Sequence, residues 1–300
     1  MSKTNFGEIY DNYLGVFNGF VESVMNEEYF GRVSPGSSKM LEAMSYSLSN
    51  GGKRVRPVLT MEFCRLCGGN ISDALPFALA VEMIHTYSLI HDDLPCMDDD
   101  AIRRGKPSNH MVYGYANALL AGDGLLTLAF EILSGSESSA EKKTEAVSLL
   151  SRAAGFTGMI AGQVMDLDNE NKAVSLDIIR DTDNLKTGEM IRAAALLGCI
   201  CAGADEKQRD ASRLYSDRIG LAFQITDDIL DVEGDTSVLG KPVGSDDENK
   251  KSTYVSILGL DRCRDIARQL TDEAVSALDV FGEEKSFLCE LAEKLIDRDR

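Results

Sequence analysis

Five aspartates crowd the nine residues from Asp92 to Asp100, directly behind an apolar run of helical periodicity. Three cations follow at once: Arg103, Arg104 and Lys106. Negative charge at that density on the end of a buried helix is costly unless a cation holds it. Hard divalent ions with oxygen ligands are the natural holders. The cations behind the aspartates in turn need an anion, and a diphosphate carried on magnesium would satisfy both halves. The stretch from Tyr87 to Lys106 therefore organises the rest of the chain.

Elsewhere helical periods dominate, and no alternating strand of any length is found. Residues 4–30 are expected to form a first helix, ended by Gly31 and a Ser/Pro/Gly loop, and residues 38–48 a second. Lys53-Arg54-Val55-Arg56-Pro57 opens a third, running to about Cys67. Cations at a helix N-terminus oppose the macrodipole, whereas anions are favoured there. Lys53 and Arg56 are therefore read as parts of an anion site rather than a solvated basic turn. Residues 73–94 make the next helix, on which Val81, His85, Ser88 and Asp92 share one stripe. A histidine in such a place is ordinarily a satisfied core residue; lying on the face of the carboxylates, His85 becomes a candidate ligand contact. Pro95 should stop or distort this helix. Asp92 and Asp98 are six residues apart, which an undistorted helix would aim in different directions, so a bulge after Leu94 is expected to bring them together.

Residues 108–133 read as a helix or helix pair punctuated by Gly114, Gly122 and Gly124, followed by an exposed loop from Ser134 to Ser139 that is too short for a domain linker. Small residues between Gly158 and Asp166 permit close helix approach, with Gln163 and Asp166 one turn apart. In the helix near 184–203, Lys186-Thr187-Gly188 predicts a local kink that frees a carbonyl. Gln224, Asp227, Asp228 and Asp231 fall at i, i+3, i+4 and i+7 and project from one side. Like charges at that spacing destabilise a bare helix, so the set reads as a second metal-holding cluster, facing the first, rather than a solvated acidic face. Residues 233–252, with Lys241, Lys250 and Lys251, read as a lid loop, and two helices close the chain.

A 44% hydrophobic content supplies a sizeable core and rules out disorder. The net charge of −18 argues against nonspecific nucleic-acid binding and against a polybasic membrane anchor. An anionic ligand must then be captured by local cations or by metal, against the global field. No run approaches the roughly 18 apolar residues of a membrane span, and the polar, acidic N-terminus carries no secretory signal. The seven cysteines read as reduced thiols in a cytoplasm, and Cys64-x-x-Cys67, with no second pair at zinc-ribbon spacing, as ordinary helix packing.

Taken together, Gly51-Gly52-Lys53-Arg54-x-Arg56-Pro57, Asp92-Asp93-x4-Asp98 with Arg103-Arg104-Gly105, Lys186-Thr187-Gly188, and Gln224-x-x-Asp227-Asp228-x-x-Asp231 resemble the trans-prenyltransferase (polyprenyl synthetase) family, in the right order over nearly the whole chain. One acid cluster alone is a weak signal; the set is specific. The resemblance implies an all-α, single-domain helical bundle over residues 1–300, with about ten core helices around a central cavity, and a homodimer. It implies that Asp92, Asp98 and Asp227 ligand a trinuclear Mg2+ cluster, supported by Asp93, Asp228 and Asp231. Arg103, Lys186, Thr187, Gln224 and Lys241 would hold an allylic diphosphate (dimethylallyl or geranyl), and Lys53, Arg56, His85 and Arg104 isopentenyl diphosphate. The implied reaction ionises the allylic substrate and joins the carbocation to isopentenyl diphosphate, releasing pyrophosphate, which is the expected proton acceptor. Oxygens at Lys186, Thr187 and Gln224 would steady the cation.

Product length in this family is set by a wall four and five residues before the first motif, here Ser88 and Tyr87. Five residues are about 7.5 Å of helix, and the bulk of Tyr87 favours a fifteen-carbon farnesyl product. A geranylgeranyl-type synthase is the first alternative. A noncatalytic modulating subunit is another, against which stands the completeness of both aspartate sets. A magnesium phosphohydrolase would need a water-activating base in an open site. Two departures from the family pattern stand out. Ala101 occupies a position where a further Asp is common. The segment 246–255 lacks the usual Gly before its Lys and the usual Pro after Tyr254, a departure in the lid that leaves the metal-ligand positions intact.

Overall fold

One helix has no solvent face, and the architecture follows from covering it. In α5 (Ile71–Asp92) the side chains of Phe77, Leu79, Val81, Met83 and Ile84 are all fully buried, the signature of a helix apolar all round. A computed structural model describes residues 5–31, 33–233 and 252–297. Around α5 it packs α1 (Phe6–Val24), α3 (Pro35–Leu48), α4 (Val55–Leu66), α7 (Tyr115–Gly135), α8 (Ala140–Ala154) and α11 (Glu189–Ala202). The short α2 (Glu27–Phe30) and α6 (Asn109–Tyr113) lie between these in the chain. A second, smaller apolar cluster joins α10 (Leu176–Asp183) and α12 (Glu206–Glu233) to α13 (Tyr254–Leu258) and α14 (Leu260–Ala277) through Ile179, Ile225, Ile229 and Tyr254. α9 (Met159–Asn169) precedes α10, and α15 (Ser286–Ile296) closes the described chain. The expected all-α single-domain bundle is thus the observed fold class.

Local chemistry explains where the elements differ from expectation. The first helix breaks at Asn26, whose side chain accepts from the Tyr29 amide at 3.0 Å and restarts the chain as α2. The next helix begins at Pro35 rather than residue 38, because Ser34 caps it and proline at N1 sacrifices no hydrogen bond. Gly114, at φ +81°, divides α6 from α7. Two strands escaped the sequence: β1 (Ile102–Arg103) and β2 (Lys106–Pro107) pair antiparallel. Two residues each are too few for an alternating pattern to register.

α4 and α11 approach closely at Gly198, where a Cβ would lie 2.2 Å from the Thr60 carbonyl oxygen. Cys64 and Cys67 pack in this seam as unpaired thiols, Cys67 lying 4.0 Å from Cys199. α7 corrects the statement that no run reaches membrane-span length. Its 21 residues are long and apolar enough to cross a membrane, yet the helix packs chiefly on α5 and α3, with nearly half of it buried in the bundle.

Candidate active site

The last turn of α5 delivers the first aspartates. After Asp92 the chain folds back on itself: the Leu94 amide donates to the His91 carbonyl, Met97 to Leu94, and Asp98 to the Asp92 carbonyl at 2.8 Å. The expected bulge after Leu94 is this turn, and it sets Asp98 beside Asp92. Burial raises the Asp92 carboxyl to about 6; Lys186 opposes the shift and Asp98 adds to it. Asp93 turns inward instead. It is buried and accepts from Arg103 Nε at 2.8 Å, while Arg103 Nη2 also donates to Asp100 at 3.0 Å. Arg103 is therefore held by two carboxylates beside the site.

The basic residues converge on His85. Arg104 and Gly105, at φ +54° and +75°, form the two-residue turn between β1 and β2, the left-handed pairing that suits the twist of a tight hairpin. Arg104 Nη1 donates to the Gly51 carbonyl at 2.7 Å, and its guanidinium lies over Gly52, where a Cβ would meet Cζ at 2.6 Å. Neighbouring Arg54 is buried and left-handed, with Nη1 donating to Glu82 Oε1 at 2.7 Å. With a second bond to the Leu48 carbonyl, it ties the loop to the bundle. Arg56 buries an Nε that has no hydrogen-bond partner, and burial, with Arg104 nearby, lowers its pKa. Burial first, then Arg56, Arg104, Arg54 and Arg103, push His85 well below its ordinary value, so it is neutral. Four guanidiniums around a neutral imidazole are unfavourable by themselves and favourable around an anion. Lys53 sits exposed just ahead of them, its carbonyl accepting from the Tyr10 hydroxyl.

The second aspartates lie on the final turns of α12. Gln224, Asp227, Asp228 and Asp231 line a cleft of about 250 Å3 with Lys186 and Thr187. Lys186-Thr187-Gly188 lies in a π-helical turn (Asn184–Gly188), the form taken by the expected kink. α9 presses on it so closely that a Cβ at Gly162 would stand 2.2 Å from the Lys186 amide nitrogen. Lys186 Nζ bonds Asp166 Oδ2 at 2.7 Å and also feels Asp92 and Asp98. This single cation thus stands between the two aspartate sets. Asp228 accepts from the Tyr254 amide at 2.7 Å and so fixes the start of α13, while Asp231 is buried. Lys241, expected at this site, lies outside the described residues, as do Lys250, Lys251, Arg298 and Arg300.

Three residues had no assigned part in the sequence reading. Glu82 neutralises Arg54 from the helix face that carries His85. Asp166 pairs with Lys186. Asp183, accepting from Gln224 Nε2 at 3.4 Å, is raised to about 6 by burial. Its position three residues before Lys186 was the one available signal.

Magnesium suits this donor set. Among the described residues no three His, Cys, Asp or Glu side chains form a ready cage. Mg2+ in phosphate chemistry uses one or two carboxylates together with the substrate's own oxygens and seldom needs such a cage. Asp92, whose carboxyl is raised to about 6 by burial with Asp98 adding to the shift, is the kind of group that such an ion would relieve.

Residues 37–286 match the family model described as polyprenyl synthetase. The chain is 43% identical over 278 residues to a farnesyl diphosphate synthase of Micrococcus luteus, covering 93% of this chain and 96% of that protein. It is 47% identical over 251 residues to geranylgeranyl pyrophosphate synthase 3, chloroplastic, of Arabidopsis thaliana, covering 82% and 70%. A solved FPP/GFPP synthase from Zymomonas mobilis superposes with a TM-score of 0.86 at 35% identity, covering 97% of this chain and 99% of that one.

Proposed function

The chain belongs to the polyprenyl synthetase family, and from that premise we propose that it is a farnesyl diphosphate synthase, a prenyltransferase joining isopentenyl diphosphate to dimethylallyl or geranyl diphosphate. The observation that carries the reading is the division of charge: an arginine-rich pocket around His85 on one side, two aspartate sets sharing Lys186 on the other. Arg56, Arg104 and neutral His85, with Lys53 at the rim, hold the isopentenyl diphosphate. Lys186, Thr187, Gln224 and Arg103 orient the allylic diphosphate, with Lys241 assigned to the same task.

Asp92, Asp98 and Asp227 are the residues that would hold three Mg2+ ions, which when bound neutralise the charge of the departing diphosphate. Asp93 and Asp228 act behind them: one clamps Arg103, the other fixes α13. Ionisation leaves an allylic cation, which the Thr187 hydroxyl and Gln224 oxygen steady without capturing it. The isopentenyl double bond attacks, and the proton leaves to the released pyrophosphate. Buried, bulky Tyr87 with Ser88 closes the hydrocarbon pocket at fifteen carbons, and this favours the farnesyl product over the geranylgeranyl alternative.

Two copies associate along α6 and α7, where Met111, Val112, Tyr115, Leu119 and Leu120 are exposed apolar residues on neighbouring turns. Seven free cysteines suit a reducing cytoplasm. The test is direct: purified chain with isopentenyl diphosphate and each allylic diphosphate, with and without Mg2+, products sized by chromatography. Mg2+-dependent fifteen-carbon product is expected. No condensation with either starter would end the reading, and a twenty-carbon product would transfer it to the alternative.

A further inference from the structure

The side chain of His91, one residue before the first aspartate, is engaged by α7 and not by the ligand pocket. Its Nε2 lies 3.0 Å from the Leu119 carbonyl oxygen, close enough for the Nε2–H tautomer to donate. Asp123, 3.9 Å away, is the carboxylate that faces the ring from α7. The imidazole rests directly on Gly122: a Cβ there would stand 2.1 Å from Nε2 and 2.4 Å from Cδ2. On its other side the ring meets Tyr87 edge to face, with centroids 5.6 Å apart at 76°. Tyr87 is buried, and burial with the nearby Asp92 raises its hydroxyl to about 12. The imidazole is therefore wedged between the backbone of α7 and the ring of Tyr87.

We propose that His91 and Gly122 are positioning residues for product length. The bare backbone at Gly122 seats His91, and His91 holds the Tyr87 ring in the orientation that closes the hydrocarbon pocket. This rests on the reading that Tyr87 is the floor of that pocket. A methyl group at 122 forces the imidazole off its seat and out of the edge-to-face contact, and removing the imidazole abolishes that contact; in both cases the Tyr87 ring loses its support. Either change frees the floor without touching a diphosphate or one of the proposed metal-holding aspartates. The backbone of His91, which accepts from the Leu94 amide in the motif turn, is untouched by both.

The experiment compares Gly122→Ala, His91→Ala, His91→Gln and Tyr87→Ala with the unaltered chain. Products are sized by chromatography at saturating substrates, and thermal unfolding checks the fold. The first two variants should raise the share of products beyond fifteen carbons by roughly 2- to 12-fold, the factor one edge-to-face ring pair supplies. Michaelis constants for both substrates should stay near the starting values. His91→Gln, which keeps an N–H for the Leu119 carbonyl, should restore part of the fifteen-carbon preference. If His91→Ala fails to fold, Gly122→Ala carries the comparison. Unchanged products from folded Gly122→Ala and His91→Ala, beside longer ones from Tyr87→Ala, overturn the inference alone. Unchanged products from Tyr87→Ala as well remove the pocket-floor reading on which it stands.

Discussion

Replacing Gly52 by alanine tests whether the arginine pocket is built on backbone geometry. Gly52 has φ +101°, a conformation L side chains rarely adopt, and a Cβ would lie 2.6 Å from Arg104 Cζ and 2.8 Å from Nη1. The backbone strain alone costs roughly 1 kcal/mol of stability. The larger effect is on Arg104, which must leave the Gly51 carbonyl it now reaches at 2.7 Å and with it its place near Arg56 and His85. A charge-assisted hydrogen bond to a phosphate is worth about 1.5–3 kcal/mol, so the Michaelis constant for isopentenyl diphosphate should rise about 10- to 150-fold. The constant for the allylic diphosphate should move much less, because its proposed holders Lys186, Thr187 and Gln224 line the separate acidic cleft and Arg103, though next to Arg104 in the chain, stays clamped by Asp93 and Asp100. Initial rates with each substrate varied at saturation of the other separate the two, with Arg104→Met as the reference for complete loss. An isopentenyl constant within about twofold of the starting value, in a folded variant, would refute the reasoning.

Glu82→Gln should cost about 3–5 kcal/mol in urea unfolding, since Arg54 and Glu82 are 3% and 2% exposed and the arginine would be left buried without its counter-charge; an unchanged midpoint would count against this. Asp183, raised from 3.8 to about 6 by burial, contributes stability that is fully present below 3.8 and lost as pH rises through about 6. Asp183→Asn should therefore flatten the pH dependence of the melting temperature of the metal-free protein between those values, a difference of at most about 3 kcal/mol. Asp92→Asn and Asp227→Asn should each lower turnover by at least about two orders of magnitude while circular dichroism stays unchanged; near-normal turnover in either would remove that residue from the metal set.

What could be read from the residues alone was whatever a helix encodes locally. The spacing of Gln224, Asp227, Asp228 and Asp231 fixes one face regardless of what packs behind it, and the cleft is lined by all four. The weakness at Lys186-Thr187-Gly188 was visible for the same reason. Its form as a π-turn was not, because that depends on the close approach of Gly162 from another helix. Arg54 passed as an unassigned position in the basic motif, since its meaning lies in Glu82, 28 residues away in the chain. Asp183 was missed likewise, its partner Gln224 being 41 residues distant. The β1–β2 turn was hidden by brevity, although the Arg104-Gly105 pair that makes it was already in view as a ligand motif.

The two halves of the site solve opposite electrostatic problems with the same fold. Around His85 the fold pairs Arg54 with Glu82 and Arg103 with Asp93 and Asp100, whereas Glu82 only partly offsets the burial of Arg56 and Arg104, whose pKa values stay lowered. Such a pocket suits a bare anion. On the other side the described carboxylates outnumber the described cations: Asp92, Asp98, Asp166 and Asp183 all act on, or lie beside, Lys186. That side accepts an anion only in company with a cation. A chain with net charge −18 could not hold two diphosphates by its overall field. On the proposed reading it does so by concentrating arginines on the end of one buried helix pair and leaving to metal the negative charge that the described cations beside the aspartates do not balance.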